Sequence, residues 1–430
     1  MAYTLTANDY IDILRDELKL ALGCTEPIAI AYCAAEAKRV LGKAAERCEI
    51  EVSGNIIKNA KSVIVPGTDG MKGIAAAAAA GIVAGDPAKK LEVITGLTAT
   101  DRAEIKKFLK SVPMKVIPSE TKEKLYIKIS LFADEESSEV CIAHTHTNII
   151  WEKKNSEVLI DNTDVFNEDQ DKLENDPIIA KKALLTVKGI IDFADNVDIE
   201  LIRDIIQRQI TCNTAIAREG IVNNWGANIG STILASSDMN IRNRAKAYAA
   251  AGSDARMSGC ELPVVINSGS GNQGITVTLP VVIYAESLNA SEEKLYRALL
   301  ISNLISIHIK YGIGALSAFC GAVSAGCAAG CGIAYLHGCG YDAISQVLSN
   351  SLATASGIIC DGAKPSCAAK IALAVDAGIM GFEMYRYGQR FNGGDGIVGK
   401  NVECTIDNIA DIGSEGMRST DWEILKIMTG

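Results

Sequence analysis

The sequence predicts an α+β protein, in which a predominantly helical domain is joined to a smaller α/β subdomain. Short alternating or β-branched segments are concentrated in residues 45–165, and long helical patterns of hydrophobicity dominate residues 166–430. Glycine is abundant, with 38 residues, whereas aromatic residues make up only 5%. We therefore expect the larger domain to be filled by helices of small residues that approach each other closely.

Residues 1–44 predict two helices that pack on the helical domain. Asn8 and Asp9 can cap the first helix, whose apolar face continues to Leu20. The second helix is expected to start at Gly23-Cys-Thr-Glu-Pro27, because proline is favoured in a first helical turn. Cys24 would then lie at a helix N-terminus, where we expect the helix dipole to stabilise a thiolate.

Residues 45–165 predict a compact α/β subdomain. Two helices are expected, at Gly73–Ala84 and Arg102–Lys110. His144 and His146 alternate along the last predicted strand and so share a face. With a carboxylate they could bind zinc, but no residue at nearby spacing completes the ligand set, and the pattern therefore favours a structural role. The predicted strands are Glu49–Val52, Ser62–Val65, Leu91–Ile94, Leu125–Ser130, Val140–Ala143 and Thr147–Trp151.

Residues 166–430 predict a helical domain that follows an acidic linker or surface loop at residues 162–176. The segment Pro263–Ala285 is ambiguous, since it is β-rich by propensity but can also form a buried helix kinked at Pro280. The predicted helices are Ile178–Ala194, Ile199–Ala217, Arg242–Gly252, Ser291–Tyr311, Ala315–Leu336, Tyr341–Ser356, Ala368–Phe382 and Thr420–Met428.

No charged residue occurs between Lys310 and Asp342, so this run is long enough to span a membrane. It consists of Gly, Ala, Ser and Cys rather than Leu, Ile and Phe, and we therefore predict a buried helix and no membrane association. The net charge of −10 and the absence of a basic stripe argue against nucleic-acid binding. Small molecules are the expected partners.

The N-terminus has no basic and apolar signal region, so we expect a cytoplasmic protein. In a reducing compartment, clustered cysteines are more often metal ligands or reactive groups than disulfides. Most of the 13 cysteines can be buried packing residues. Cys24, Cys320 and Cys360 differ because each stands beside a glycine-containing turn or a helix start, which makes them candidate metal ligands.

Polar, glycine-rich strings interrupt the apolar pattern, and together with the candidate cysteines they resemble the L-cysteine desulfidase family, which is related to the α-chain of iron–sulfur L-serine dehydratases. The strings are Gly23-Cys-Thr-Glu-Pro27, Ser253-Asp-Ala-Arg256, Asn267-Ser-Gly-Ser-Gly-Asn-Gln-Gly274, Cys320 and Cys360-Asp-Gly-Ala-Lys364. The resemblance covers nearly the whole chain. It implies a [4Fe–4S] enzyme, independent of pyridoxal phosphate, that converts L-cysteine to pyruvate, ammonia and sulfide.

The resemblance implies that Cys24, Cys320 and Cys360 hold the cluster, with Cys367 as a reserve ligand. Serine dehydratases take two ligands from a region like residues 360–367 but with a longer spacing, and the helix start favours Cys24. Three protein thiolates leave one iron with an open position, where it can act as a Lewis acid on the β-substituent while a base removes the α-proton.

The base is left open between a displaced cluster thiolate, Lys58, His146 and Lys364. Hydroxyl and amide groups of the polar strings are the expected contacts of the substrate carboxylate and amino group. These residues are Ser53, Asn55, Asn59, Thr147, Asn148, Ser268, Ser270, Asn272 and Gln273.

Two alternatives to the desulfidase are an L-serine dehydratase of the same iron–sulfur type and a non-catalytic metal- or redox-sensing protein. The expected substrate is therefore L-cysteine or L-serine. A second copy of the chain, in a homodimer, is the one protein partner that we consider.

Overall fold

The computed structural model describes residues 4–121, 123–163, 177–314 and 316–429, and its architecture is α+β. The predicted linker at residues 162–176 lies largely outside the described residues. The helices are α1 Ala7–Glu17, α2 Thr25–Leu41, α3 Gly54–Ala60, α4 Ile74–Ala84, α5 Ala99–Ser111, α6 Pro177–Lys182, α7 Val187–Asn196, α8 Arg203–Val222, α9 Ile229–Ser236, α10 Ile241–Met257, α11 Gly271–Ser287, α12 Glu292–Ile313, α13 Gly321–Leu336, α14 Tyr341–Ala355, α15 Cys367–Arg386, α16 Val402–Asp411 and α17 Arg418–Thr429. The strands are β1 Leu20–Leu22, β2 Arg47–Val52, β3 Met114–Pro118, β4 Tyr126–Ala133, β5 Glu136–Ala143, β6 Ile149–Lys154, β7 Glu157–Asp161 and β8 Pro263–Val265.

The smaller subdomain is built on a six-stranded sheet in the order β3-β2-β4-β5-β6-β7. All neighbouring strands are antiparallel except the pair β2 and β3, which is parallel. Ile127, Ile129 and Leu131 of β4 are buried on one face, as the two-residue period of a strand requires. Helices α2 and α4 pack with this face in one apolar core.

A second apolar core lies among the helices that follow residue 186, and α1 joins it. Helices α13 and α15 approach closely because glycines face each other. A Cβ on Gly330 would lie 2.5 Å from the carbonyl oxygen of Gly378. Cys327 and Cys331 of α13 are fully buried in this core, which confirms their prediction as packing residues.

The charge-free run forms α13 from Gly321 on, later than the predicted start at residue 315. Cys320 is the N-cap of this helix, so the candidate ligand lies at the start of the helix and not within it. None of the described helices is long and apolar enough to span a membrane.

Several predicted elements are wrong. Leu91–Ile94 lies in and after a 3₁₀ turn at Pro87–Glu92, although Val93 and Ile94 enter the core of the sheet subdomain. Ser62–Val65 contributes only a single bridge, between Ile64 and Lys72. In both segments the β-branched residues reflect burial rather than extended pairing. Ile178–Ala194 is divided into α6 and α7.

His144 and His146 lie in the loop between β5 and β6 and not on a strand, so the predicted shared face does not exist. The backbone turns at His144, where φ is +68°. Of the two alternatives predicted for Pro263–Ala285, the β-rich stretch forms the buried helix, α11, with Pro280 inside it; the three-residue strand β8 precedes it.

The two N-terminal helices belong to different cores. Tyr10 of α1 stacks on Phe193 of the helical domain, with ring centroids 4.6 Å apart. Helix α2 instead packs on the sheet through Ile28, Ile30 and Cys33. A boundary at residue 44 therefore does not separate the two packing units; the chain passes between them in the segment that joins α1 to α2.

Candidate active site

A cavity of about 1070 Å³ lies where the sheet subdomain faces the helical domain. Its wall includes the start of α2, the end of α3, the loop between β5 and β6, and the N-terminal ends of α11 and α13. The four cysteines predicted as ligands or reserve ligand all contribute to this wall: Cys24, Cys320, Cys360 and Cys367.

Four helices begin at this cavity, and three of them begin with a candidate cysteine. Cys24 and Cys320 are the N-caps of α2 and α13, and Cys367 is the first residue of α15. Ser270 is the N-cap of α11, and none of the three N-cap side chains bonds to its helix. Because the first backbone N–H groups of a helix have no partner within it, these ends favour thiolates and other anions.

Antiparallel pairing of β1 with β8 brings distant parts of the sequence to the cavity. Leu20 pairs with Val265 and Leu22 with Pro263, so Cys24 follows one strand just as the turn Asn267–Ser270 follows the other. The hydroxyl of Thr25 donates to the carbonyl of Gly269 at 3.2 Å. This contact joins the start of α2 to the turn before α11.

Cys320 and Cys360 meet through a short antiparallel bridge between Phe319 and Ile359. The amide of Cys360 donates to the carbonyl of Ala318 at 2.6 Å. The two thiols are free and form a hydrogen bond with each other. The bond to Cys320 lowers the pKa of Cys360, and the charges of Lys58 and Lys310 act in the same direction. Within the pair, the thiolate therefore belongs to Cys360.

Cys24 and Cys367 share a small apolar cluster with Val63, Met257 and Ala363. The sulfur of Cys24 lies 3.8 Å from that of Met257. Burial raises the pKa of Cys24 to about 12, although the positive charge of Arg256 lowers it. Cys24 lies at the helix start as predicted, but loss of water on burial disfavours the ionised form of this thiol.

Gly362 allows the loop that carries Cys360 to lie directly on α3. Its φ is +91°, and a Cβ there would be 2.3 Å from the carbonyl oxygen of Lys58. We expect Gly362→Ala to lower the free energy of unfolding by about 2–4 kcal/mol, from left-handed strain and a forced backbone shift. Gly338→Ala is the matched control, since φ is +84° but nothing lies within 4 Å. Equal losses in urea unfolding of the two variants would contradict this account.

Lys58 is 1% exposed and forms an ion pair with Asp421 of α17. This pair attaches the C-terminal helix to the cavity wall. The ammonium of Lys364 donates to the carbonyl of Lys58 at 3.3 Å, and burial lowers the pKa of Lys364.

Asp421→Asn would leave the buried charge of Lys58 unpaired. We expect a loss of about 2–4 kcal/mol in unfolding free energy, near the lower end for broken buried pairs because Asp421 is partly exposed. Glu423→Gln on the same helix breaks an exposed pair with Lys426 and should cost less than about 1 kcal/mol. The double variant Lys58→Met/Asp421→Asn should regain much of the loss, and failure to do so would contradict a dominant role for the pair.

His146 lines the cavity, and its Nε2 is buried with no hydrogen-bond partner among the described residues. Burial lowers the pKa of His146, against the charge of Glu26, so the ring is neutral at pH 7. His144 points to a different partner, with Nδ1 3.2 Å from Oε2 of Glu123. Among Lys58, His146 and Lys364, His146 thus has the nitrogen best suited to accept a proton.

The predicted substrate contacts divide into two groups. Ser53, Asn55 and Asn148, together with the predicted base Lys364, are not part of the cavity wall. The hydroxyl of Ser53 donates to the carbonyl of Lys124, and the amide of Asn148 to that of Ala143. The cavity wall contains Asn59, Thr147, Ser268, Ser270, Asn272 and Gln273.

The cavity wall contains charged residues that were not among the predicted site residues, including Glu26, Arg256 and Lys310. Glu26 and Arg256 lie inside two strings that the sequence analysis quoted, but their charges were not used. Lys310 is 6% exposed on α12, and burial lowers its pKa to about 8. Its position in a long apolar helix was the available signal, since a lysine there needs a buried partner or a function.

Within the described parts of the chain, no three His, Cys, Asp or Glu side chains are arranged to hold a single metal ion. The cysteine ligands of an iron–sulfur cluster each bind a different iron atom and need not converge on one point, so this finding concerns single-ion sites and not cluster sites.

Comparison with known proteins supports the relationship that the motifs predicted. A family model described as the serine dehydratase alpha chain matches residues 88–426. A UPF0597 protein of Desulfitobacterium hafniense (strain Y51) is 52% identical over 419 residues, which cover 97% of this chain and 96% of the relative. UPF0597 proteins of Lachnoclostridium phytofermentans and Finegoldia magna are 50% and 48% identical; the alignments cover 97% and 98% of this chain and 98% and 99% of the relatives.

The region matched by the family model contains His146, Cys320, Cys360 and Cys367, whereas Cys24 lies before it. The relatives are similar over nearly the full length of both chains. The chain therefore belongs to the serine dehydratase alpha chain family and to the UPF0597 group of proteins.

Proposed function

We propose that this protein is a [4Fe–4S]-dependent, pyridoxal-phosphate-independent L-cysteine desulfidase. The observation that carries the proposal is the meeting of Cys24, Cys320, Cys360 and Cys367 on one cavity wall. These cysteines come from separate parts of the chain, and helix N-termini surround them. Such a donor set fits an iron–sulfur cluster, which binds protein thiolates.

Cys320, Cys360 and one of the pair Cys24 and Cys367 would hold the cluster. The Cys320–Cys360 pair already contains the thiol whose pKa is lowered, and the lysines beside it favour its ionised form. A bound cluster with three protein ligands supplies a Lewis acid for the leaving group at the substrate's β-carbon. Cys24 remains the proposed third ligand and Cys367 the reserve.

His146 is the base that we propose for the α-proton. Burial keeps the ring neutral at pH 7, its Nε2 has no hydrogen-bond partner among the residues that the structure describes, and it lines the same cavity as the cysteines. Transfer of the α-proton to Nε2 leaves an electron pair that forms the Cα–Cβ double bond as the C–S bond breaks. Hydrosulfide leaves, and the aminoacrylate product hydrolyses to pyruvate and ammonia.

An L-serine dehydratase is the second candidate, and the match to the serine dehydratase alpha chain model favours it. The two substrates differ only in the leaving group, and hydroxide leaves less readily than hydrosulfide. The cysteine set also fits a metal- or redox-sensing protein, which would bind a cluster without turning over either amino acid.

The test is anaerobic reconstitution with iron and sulfide, followed by measurement of pyruvate from L-cysteine and from L-serine. The proposal expects pyruvate and sulfide in equal amounts from L-cysteine, with a higher kcat/KM than for L-serine. A higher kcat/KM for L-serine would favour the dehydratase. A reconstituted protein that forms no pyruvate from either substrate would favour the sensor.

A further inference from the structure

Arg256, near the end of α10, carries a buried positive charge that faces the cavity. Its side chain is 4% exposed, Nη1 donates to Oδ1 of Asn272 at 3.1 Å, and Nε is buried with no hydrogen-bond partner in the described part of the chain. No Asp or Glu of the described residues forms an ion pair with it. A guanidinium does not lose its proton, and an unpaired buried charge is unfavourable, so this group requires an anion.

The guanidinium lies against the first turn of α11. A Cβ on Gly271 would be 2.3 Å from Nε and 2.7 Å from Cζ of Arg256, so only glycine lets the two groups approach. The N-cap side chain of Ser270 does not bond to the helix. The free N–H groups of this turn and the unpaired guanidinium therefore adjoin one region of the cavity, where a carboxylate can accept from both.

The cavity wall also carries a negative charge, at Glu26. Glu26 lines the cavity and accepts from Nδ2 of Asn59 at 2.9 Å, and its Oε2 lies 3.1 Å from the hydroxyl oxygen of Thr25. No Lys or Arg of the described residues forms an ion pair with it. Arg256, Glu26 and Cys24 all line the same cavity, so the two opposite charges face one space.

We propose that Arg256 and the first turn of α11 bind the α-carboxylate of an amino-acid substrate, and that Glu26 binds its α-ammonium group. The inference rests on the proposed function for the identity of the substrate. The site itself selects the head group that all free α-amino acids share. It therefore predicts that a thiol lacking either charged group binds weakly.

Binding without turnover tests the site directly. L-alanine has both charged groups but no β-substituent that can leave, so its affinity for the reconstituted protein can be measured by calorimetry. Arg256→Met is expected to weaken binding about 10- to 100-fold, as for loss of a charged hydrogen bond. The affinity of Arg256→Lys for L-alanine should lie between those of the wild type and Arg256→Met, because lysine keeps the positive charge but lacks the planar set of N–H donors of a guanidinium. Arg244→Met, on the same helix with a partly exposed side chain, should leave binding unchanged.

Two thiols that each lack one charged group separate binding from folding. The inhibition constant of 3-mercaptopropionate, which has no amino group, should rise about 10- to 100-fold in Arg256→Met and change little in Glu26→Gln. Cysteamine, which has no carboxylate, should show the opposite pattern. Equal losses for both thiols in each variant would indicate a merely structural role and would overturn the assignment.

Asn272→Asp gives a further test that does not remove the guanidinium. The new carboxylate would form an ion pair with Arg256 and compete with the substrate carboxylate. We therefore expect a rise in the melting temperature together with weaker L-alanine binding. Unchanged L-alanine binding in this variant would overturn the site. An L-alanine site that depends on Arg256 in a protein that forms no pyruvate would sustain the inference and refute the lyase. Pyruvate formation with an unchanged KM in Arg256→Met would support the lyase and overturn the proposed binding site.

Discussion

Replacing Cys360 by alanine is expected to reduce pyruvate formation from L-cysteine by more than about 100-fold, beyond the usual loss for residues that only support metal ligands. Cys320→Ala should have the same effect, because the two thiols form one pair at the cavity. Both variants should retain less iron after anaerobic reconstitution. Cys327→Ala is the matched control, since this thiol is fully buried in α13 but belongs to the helical core.

The third ligand is decided by comparing Cys24→Ala with Cys367→Ala. The two side chains lie in the same apolar cluster, so each substitution removes a similar volume from the same place. We expect Cys24→Ala to lose both iron and activity and Cys367→Ala to keep them. The opposite result would assign the third position to Cys367, and full activity in all four cysteine variants would contradict the cluster account.

His146→Gln is expected to lower kcat for L-cysteine by about 10²- to 10⁴-fold, the usual contribution of a general base. Glutamine keeps the shape of the side chain but cannot accept the α-proton. Circular dichroism and iron content should remain those of the wild type. His337→Gln is a suitable control, because His337 packs on Phe382 at the far end of α13.

The pH dependence gives the base a second signature. A base must be neutral, and burial lowers the pKa of His146 below its ordinary value of about 6.5. Activity should therefore persist as the pH falls through 6.5 and decline only at lower pH. A profile that already declines well above pH 6.5, or a His146→Gln enzyme with the acidic decline of the wild type, would exclude His146 as the base.

The elements that could be predicted from the sequence are those whose signal is local. Helices such as α5, α12 and α14 carry their apolar period and their boundaries within one segment, and the predicted ranges lie close to the observed ones. Leu91–Ile94 misled the prediction because a β-branched run indicates burial as readily as a strand. The short strands β1 and β8 were missed, since each has three residues and exists only through the other.

The same limit explains the residues of the site that were missed. Glu26 is close to Cys24 in the sequence, but Arg256 joins them on one cavity wall only through contacts between distant parts of the chain, such as the pairing of β1 with β8. The thiol of Cys24 shows a related difficulty. Its place at a helix start could be predicted locally, but its pKa is set by burial among Val63 and Met257, which no local pattern contains.

The central claim is that a cluster held by the cavity cysteines converts L-cysteine to pyruvate and sulfide. The most direct test is to measure iron content and pyruvate formation in the same anaerobically reconstituted sample, for the wild type and for Cys320→Ala/Cys360→Ala. The account predicts about four iron atoms per chain and active turnover in the wild type, and the loss of both in the variant. Pyruvate formation by a protein that contains no iron, or by the double variant at the wild-type rate, would contradict it.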